Sequence, residues 1–173
     1  MAGSLVQVAK SVVTVATATE SLLGIDDTSP YLLTYHSIKT SNDSKNMRFR
    51  VTKASDSSAD TTANYDFSSK TIRTDTTFNT AWDNGVTSWS VSNTGTGTSG
   101  HEVTQGIVNL YNFFDASEYP FVTYAVNYIN HGGVFFGQAG GGNHQVAQSC
   151  NGVQFFEGGG DTFTGVFTLY KVV

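Results

Sequence analysis

The closing stretch of the chain, residues 163–173, constrains the fold most, because its side chains alternate with the period of an extended strand. Phe163, Phe167 and Leu169 fall on one side of such a ribbon, and Thr164 and Thr168 fall on the other. β-Branched and aromatic residues in a period-two pattern predict a β-strand. A chain terminus frays unless neighbours hold it. We therefore predict that this strand lies inside a sheet rather than at its edge.

Two further segments show the same alternation. In 47–52, three large apolar residues alternate with two arginines and a threonine, which is typical of a half-buried strand in an antiparallel sheet. Residues 121–129 place large apolar side chains on one face, and with 107–113 they predict a hairpin across the turn at 115–118. We predict that Arg48 and Arg50 are exposed. The predicted buried set is Met47, Phe49, Val51, Val122, Tyr124, Val126, Phe163, Phe167 and Leu169.

The other segments give weaker patterns. Residues 31–38 are apolar on both sides and predict an inner strand, while 65–72, 82–91, 146–149 and 153–156 are further strand candidates. The Asn84-Gly85 pair predicts a turn, and the segment 92–100, rich in Gly, Ser and Thr, predicts a mobile loop. Two glycine triplets, 140–142 and 158–160, are interpreted as tight turns between strands. They lack the Lys-Ser/Thr ending of a phosphate-binding loop.

The N-terminal segment is ambiguous. Leu5, Val8 and Val12 fit one face of a helix, but the many β-branched residues between 6 and 17 favour a strand. We interpret residues 1–20 either as an N-terminal arm or as the first strand of the domain. The segment 5–15 is also the candidate for contact with a neighbouring strand or a second copy.

The whole pattern predicts an all-β protein. About eight or nine short strands are separated by Gly, Asn, Ser and Asp clusters, and no segment after residue 20 shows a helical period. Charged residues make up 13% of the chain, compared with about 25% in a typical domain, so its surface is polar without being strongly ionic. We predict one domain over residues 1–173, an antiparallel, jelly-roll-like β-sandwich.

Charge and hydropathy argue against several functional classes. The formal net charge is −5 and the densest basic group is Arg48, Arg50 and Lys53, so nucleic-acid binding is not expected. Residues 1–4 contain no basic region, and no stretch approaches the roughly 20 apolar residues of a membrane span. We expect a protein without a signal peptide or membrane insertion, made in the cytoplasm.

Residue types that carry chemistry are present but do not form a known motif. Cys150 has no second cysteine to pair with, and an inert buried thiol is the simpler interpretation. His131 and His144 lie in glycine-rich segments where a metal site is conceivable, although we favour histidines without a ligand. Asp56, Asp60 and Asp66 have no calcium-loop spacing. We therefore predict no catalytic residue, no metal and no cofactor.

Two further groups of residues are candidates for an active site or a binding site. The pairs Asp26/Asp27 and Asp115/Glu118 lie in turn sequences, where carboxylates cap backbone amides, and nothing marks them as the facing pair of a glycosidase. The chain is therefore not expected to be an enzyme. Five aromatic residues suit either a sugar-stacking platform or the core, and we favour the core. They are Tyr65, Trp82, Trp89, Tyr119 and Tyr128.

A set of short segments extends along nearly the whole chain: Gly-Ile-Asp (24–26), Ser-Asn-Asp (41–43), Phe-Arg-Val-Thr-Lys (49–53), Asn-Tyr-Asp (64–66), Asp-Thr-Thr-Phe (75–78), Gly-Thr-Gly (95–97), Leu-Tyr-Asn-Phe (110–113) and Phe-Thr-Leu-Tyr (167–170). Through these segments the chain resembles a group of small β-rich virion proteins from tailed bacteriophages, especially those of aquatic bacteria.

The resemblance implies a jelly-roll-like domain displayed on the outside of a virion, as a capsid decoration or knob protein. The alternative is a tail fibre or tail-tip protein that binds a receptor or glycan on the host surface. The implied partners are the major capsid protein, other virion proteins and further copies of this chain. No catalytic residue is implied.

Overall fold

The computed structural model describes residues 3–75 and 78–173. Met1, Ala2, Thr76 and Thr77 lie outside the described residues, so the start of the chain and the 75–78 segment are only partly covered. The strands are β1 (Leu5–Thr17), β2 (Thr19–Leu23), β3 (Tyr31–Thr40), β4 (Met47–Lys53), β5 (Tyr65–Arg73), β6 (Asn79–Val86), β7 (Trp89–Ser90), β8 (Thr104–Tyr111), β9 (Phe121–Ile129), β10 (Phe135–His144), β11 (Cys150–Glu157) and β12 (Phe163–Val172).

Two antiparallel sheets face each other, which confirms the all-β, sandwich-like prediction. The larger sheet has eight strands in the order β1-β12-β3-β8-β9-β10-β5-β6, and the smaller has four in the order β2-β11-β4-β7. In the part of the chain that the structure describes, no helix is long and apolar enough to cross a membrane.

Strand pairing is nested, with early strands paired to late ones. β1 pairs with β12, β2 with β11, β3 with β8 and β4 with β7. The hairpins β9–β10 and β5–β6 extend the large sheet beyond β8. The closing strand β12 lies between β1 and β3, and the strand at 31–38 lies between β12 and β8. Both predictions of an inner strand are confirmed.

An aromatic cluster fills the space between the sheets. Phe155 of the small sheet contacts Phe167 of the large one with ring centroids 4.6 Å apart, and Phe49 contacts Trp89 at 5.0 Å. Every side chain of the predicted buried set is buried. Aromatic groups of this size remove about 150–250 Å² each from water, so this cluster holds the two sheets together.

The prediction that Arg48 and Arg50 are exposed is wrong, because both are half-buried. Arg50 donates two hydrogen bonds to Gln154 Oε1, at 3.1 and 2.7 Å, and its guanidinium lies 4.3 Å from the ring centroid of Phe156. The long aliphatic stem of arginine covers apolar surface even on an outward face. On the outer face of the small sheet, the two arginine stems are therefore partly buried.

The glycine triplet 140–142 is not a turn but the C-terminal half of β10, between β9 and β5. The interpretation of 158–160 as a turn is confirmed, because these residues join β11 to β12. The segment 82–91 divides between β6 and β7, which lie in different sheets. The Asn84-Gly85 pair forms a bulge rather than a hairpin turn, since the β5–β6 register shifts between Tyr65 and Phe67.

Three other predictions differ from the structure. Residues 146–149 form no strand, and the count of eight or nine strands falls short of the twelve found in the described residues. Residues 92–97 are packed rather than loose, because Thr96 is fully buried and its amide donates to the Lys45 carbonyl oxygen at 2.9 Å. Only the tip of that segment, 98–100, is exposed.

Candidate functional site

Cys150 lies in surroundings that make its thiol unreactive. The side chain is fully buried, and burial raises the pKa of the thiol to about 12, with a further increase from the nearby charge of Asp60. The thiolate is the nucleophilic form of cysteine, so this group has little reactivity at neutral pH.

The two histidines weighed as metal ligands lie towards opposite ends of β10. His144 ends the strand and His131 lies four residues before it, so the length of the strand, about 3.3 Å per residue, separates them. His144 is buried against Tyr65, with ring centroids 4.4 Å apart, and its Nε2 lies 3.5 Å from Asp60 Oδ2. Among the described residues, no group of three or more His, Cys, Asp or Glu is placed to hold a metal ion.

Most of the carboxylates considered above accept hydrogen bonds from backbone amides, and Asp26 accepts one from the Tyr31 hydroxyl at 2.8 Å. Asp56 accepts from the Ser58 amide and Asp115 from the Ser117 amide, each at 2.9 Å, and Asp66 accepts from the Gly85 amide at 3.0 Å. Asp60 accepts from the Thr62 amide at 2.9 Å. The bonds of Asp56, Asp60 and Asp115 are the local side-chain-to-backbone bonds expected of Asp in turns, whereas the Asp66 bond joins β5 to β6.

The predicted sugar-stacking aromatics divide into two groups. Tyr65, Trp89 and Tyr128 are buried in the core, as favoured. Trp82 is 70% exposed and Tyr119 is 43% exposed, so for these two the interpretation as core residues is wrong.

Trp82 lines a cleft that opens where the two sheets meet at one end of the sandwich. We call it the β6–β7 cleft. Its volume is about 290 Å³, and its walls come from β5 and β6 of the large sheet and from the β4–β7 side of the small sheet. The lining residues are Asn46, Arg48, Phe67, Thr80, Ala81, Trp82, Ser90, Ser92, Asn93 and Gln138.

Part of the polar lining of the cleft is already fixed by hydrogen bonds. The Asn93 amide donates to Gln138 Oε1 at 2.8 Å, and Gln138 Nε2 donates to Ser69 Oγ at 3.1 Å. The Met47 amide donates to Ser92 Oγ at 3.1 Å. Two polar atoms of the lining residues are not fixed in this way. Asn46 Oδ1 and Arg48 Nε are buried and have no hydrogen-bond partner among the described residues.

A shallow groove runs along the outward face of β10, where Gly137, Ala139 and Gly141 form the floor. Its two ends have volumes of about 500 and 530 Å³. Ile72 and Phe78 line one end and Phe121 lines the other. The groove is wide and mostly apolar, and nothing in it selects a particular ligand.

β1 is the third unusual surface feature. It occupies one edge of the large sheet and, among the described residues, pairs with β12 on one side. Five of its aliphatic side chains are at least one-third exposed, and Lys10 is its only charged residue. These aliphatic residues are Leu5, Val6, Val8, Val12 and Val15.

Comparisons with protein-family models, with curated proteins and with solved structures find no match to this chain. Function is therefore inferred from the β1 edge and the β6–β7 cleft. Sequence reasoning identified β1 through its β-branched residues. It missed the cleft, because Arg48 and Trp82 are 34 positions apart in the chain and no local motif joins them.

Proposed function

We propose that this chain is a non-enzymatic virion structural protein displayed on the exterior of a bacteriophage particle, as a capsid decoration or knob protein. In this role it contacts the major capsid protein or other virion proteins, and also further copies of itself. It is made in the host cytoplasm and acts on the particle.

The strand order supports this proposal. The nested pairs β1–β12, β2–β11, β3–β8 and β4–β7 are the arrangement expected when one long antiparallel hairpin is rolled into a jelly roll. The hairpins β5–β6 and β9–β10 are then additions to one sheet. Double-sheet jelly rolls are common in viral capsid proteins but also in lectins and cupins, so the topology favours the role without specifying it.

The exposed β1 edge is the single observation that carries the proposal. A long, apolar edge strand presents a row of unpaired backbone groups, and natural proteins normally protect such edges with charges, prolines or covering elements. β1 is 13 residues long, contains one lysine and contains no proline. An edge of this kind is best explained if another protein, or a second copy, covers it in the assembled state.

The second candidate function is a tail-fibre or tail-tip protein that binds a receptor or glycan. The exposed Trp82 in the β6–β7 cleft favours it, since an accessible indole next to polar groups is typical of ligand sites rather than of a shell contact. A catalytic role is not part of either proposal, and the buried thiol of Cys150 with its raised pKa fits that view.

The proposal is tested by placing a charge on the β1 edge. We expect Val12→Lys, at a position that is 56% exposed, to change stability by no more than about 0.5 kcal/mol, as is usual for surface substitutions. The same variant is expected to lose binding to particles assembled without this chain, because a charge on an edge strand opposes strand addition and apolar packing.

The matched control is Ile107→Lys, which introduces the same charge on the outward face of the inner strand β8, at a position that is 45% exposed. This variant should bind particles as the wild type does. If Val12→Lys decorates particles normally, or if both variants lose binding equally, β1 is not the attachment surface.

A further inference from the structure

The outward face of the large sheet carries an apolar ridge on β5 and β6. We define the ridge as Ile72, Phe78 and Trp82, which are 60%, 68% and 70% exposed. Lys70 and Thr80 lie opposite each other in the β5–β6 register, and Lys70 Nζ donates to Thr80 Oγ1 at 3.1 Å on this face. Side chains of a strand alternate between its two faces, so the three ridge residues share the outward face with this pair.

The groove along β10 lies directly beside the ridge. Its floor of Gly137, Ala139 and Gly141 is continuous with Ala125 of β9, which is paired with Ala139, and none of these side chains is larger than a methyl group. The strand order β9-β10-β5-β6 places β10 about 10 Å from β6, two strand spacings across the sheet. One half of the face is therefore raised and the other half is recessed.

A raised half beside a recessed half is complementary to a copy of itself. In an interface with twofold symmetry, both copies use the same patch, so each element of one copy meets its counterpart's neighbour on the other. When the axis lies between the two copies and runs parallel to the strands, the ridge of each copy comes over the groove of the other. Packed sheets lie about 10 Å apart, and large ridge side chains fill the space that the groove floor leaves open.

The exposed apolar area on this face is close to that of a stable interface. Five large side chains there are between 44% and 70% exposed, namely the ridge residues together with Phe121 of β9 and Phe135 of β10. At about 150–250 Å² for a complete aromatic side chain, they expose roughly 400–700 Å². The largest apolar patch of a typical monomer is about 300–600 Å², and a standard interface buries about 800 Å² per partner. The groove floor and the surrounding polar side chains supply the remainder.

The charges on this face also suit a second copy. Among the described residues of β5, β6, β9 and β10, alternation places two ionised side chains here, Lys70 and Asp66. Asp66 accepts hydrogen bonds from the Gly85 amide and from Gln145 Nε2. The chain as a whole has a formal net charge of −5, so two copies repel each other in most orientations. This face brings no excess of negative charge together.

We propose that two copies of this chain pack face to face through this surface, with the ridge of each copy seated in the groove along β10 of the other. The inference specifies the contact with further copies that the proposed function includes, and it rests on that function only for the role of the dimer on a particle. The dimer is measured on the isolated chain, so its absence would not affect the particle-binding test of β1.

The test is sedimentation equilibrium of the purified chain over a range of concentrations. We expect the mass to rise from one chain to two chains, with a dissociation constant in the micromolar range or below, as is typical of interfaces of this size. Trp82→Lys should raise this constant at least about tenfold, because aromatic anchors carry much of the binding energy of an interface. The matched control is Leu23→Lys, at a 38% exposed position on β2 of the small sheet, which should dimerise as the wild type does.

Ala139→Phe distinguishes a fitted interface from non-specific apolar association. Position 139 is exposed on β10, and aromatic residues are favoured in strands, so the fold should be kept. The added ring increases the apolar area but fills the groove. We expect dimerisation to be at least about tenfold weaker, because the ring overpacks the interface, whereas non-specific association would become stronger. Far-ultraviolet circular dichroism checks that each variant is folded.

A mass of one chain at every concentration would overturn the proposal. A dimer that Ala139→Phe strengthens would do the same, as would an equal loss of dimer in Trp82→Lys and Leu23→Lys. Loss of the dimer in Val12→Lys, with retention in Trp82→Lys, would place the self-contact on β1 and would also overturn it.

Discussion

At the scale of single residues, His144 is an imidazole buried without a hydrogen bond on either ring nitrogen among the described residues. Burial lowers the pKa of His144, and the nearby charge of Asp60 offsets only part of that effect. For Asp60, burial raises the pKa, but hydrogen bonds from Thr62 and Gln148 together with His144 more than compensate, so the net shift is downward. His144 is thus held neutral beside an ionised carboxylate.

This arrangement predicts a pH-dependent stability. Because the pKa of His144 is lower in the folded state, the unfolded chain takes up the proton first as the pH falls below its ordinary value of about 6.5. The free energy of unfolding should then decrease by at most about 1.4 kcal/mol per pH unit for this one proton, until the folded-state pKa is reached. Urea denaturation between pH 7.5 and pH 5 measures this change.

His144→Phe keeps a ring against Tyr65 and removes the titration, so part of the pH dependence should disappear in this variant. His36→Gln is the matched control, because it replaces a histidine that is exposed on β3. An identical pH dependence in His144→Phe and the wild type would show that His144 does not titrate on unfolding.

The sequence predicts such residue-level burial well where alternation is regular. The core positions of 47–51, 122–126 and 163–169 follow directly from period-two patterns. The pattern fails for Arg48. It places this residue on the outward face of a strand, but it cannot predict that another part of the molecule covers the long side chain. The turn 158–160 covers it here: a Cβ on Gly158 would lie 2.7 Å from Arg48 Nε.

At the scale of elements, β10 shows why glycine can be required inside a strand. A Cβ on Gly142 would lie 2.3 Å from the Asp66 carbonyl oxygen and 2.7 Å from Trp89 Cδ1. Trp89 Nε1 donates to the Asn143 carbonyl oxygen at 3.2 Å, so the indole of the small sheet sits directly on this strand. Close approach of Trp89 to the backbone depends on the missing side chain.

We predict that Gly142→Ala destabilises the protein by about 1–3 kcal/mol or more, as overpacking of a core does. Gly137→Ala lies on the same strand, and a Cβ there meets nothing within 4 Å. It should be neutral, or stabilising by up to about 1 kcal/mol through the unfolded chain. Urea denaturation of both variants measures the change in the free energy of unfolding. An equal change at the two positions would contradict this explanation of β10.

Glycine content also explains why the sequence predicts a turn at 140–142, within β10. Glycine is depleted in strands, so a local pattern assigns a glycine triplet to a turn. Only the long-range contacts with β9, β5 and Trp89 reveal its role. The division of 82–91 between two sheets also depends on long-range pairing. No local pattern in this segment indicates that β6 and β7 pair with different strands.

At the scale of the whole molecule, the β1 edge and the β6–β7 cleft lie at opposite edges of the large sheet. β1 is at one edge of that sheet and β6 is at the other, seven strand spacings away. The proposed attachment edge therefore does not overlap the β6–β7 cleft. The sequence does not reveal this strand order. Alternation predicts the fold class, but it cannot predict this separation, because strand order depends on pairing between distant segments.

The count of copies on purified particles tests the proposed display role most directly. Quantitative protein staining of purified virions should show this chain at a stoichiometry comparable to that of the major capsid protein, because a decoration protein occupies repeated positions on the shell. Absence from the particles, or only a few copies located at the tail in labelled electron micrographs, would contradict it.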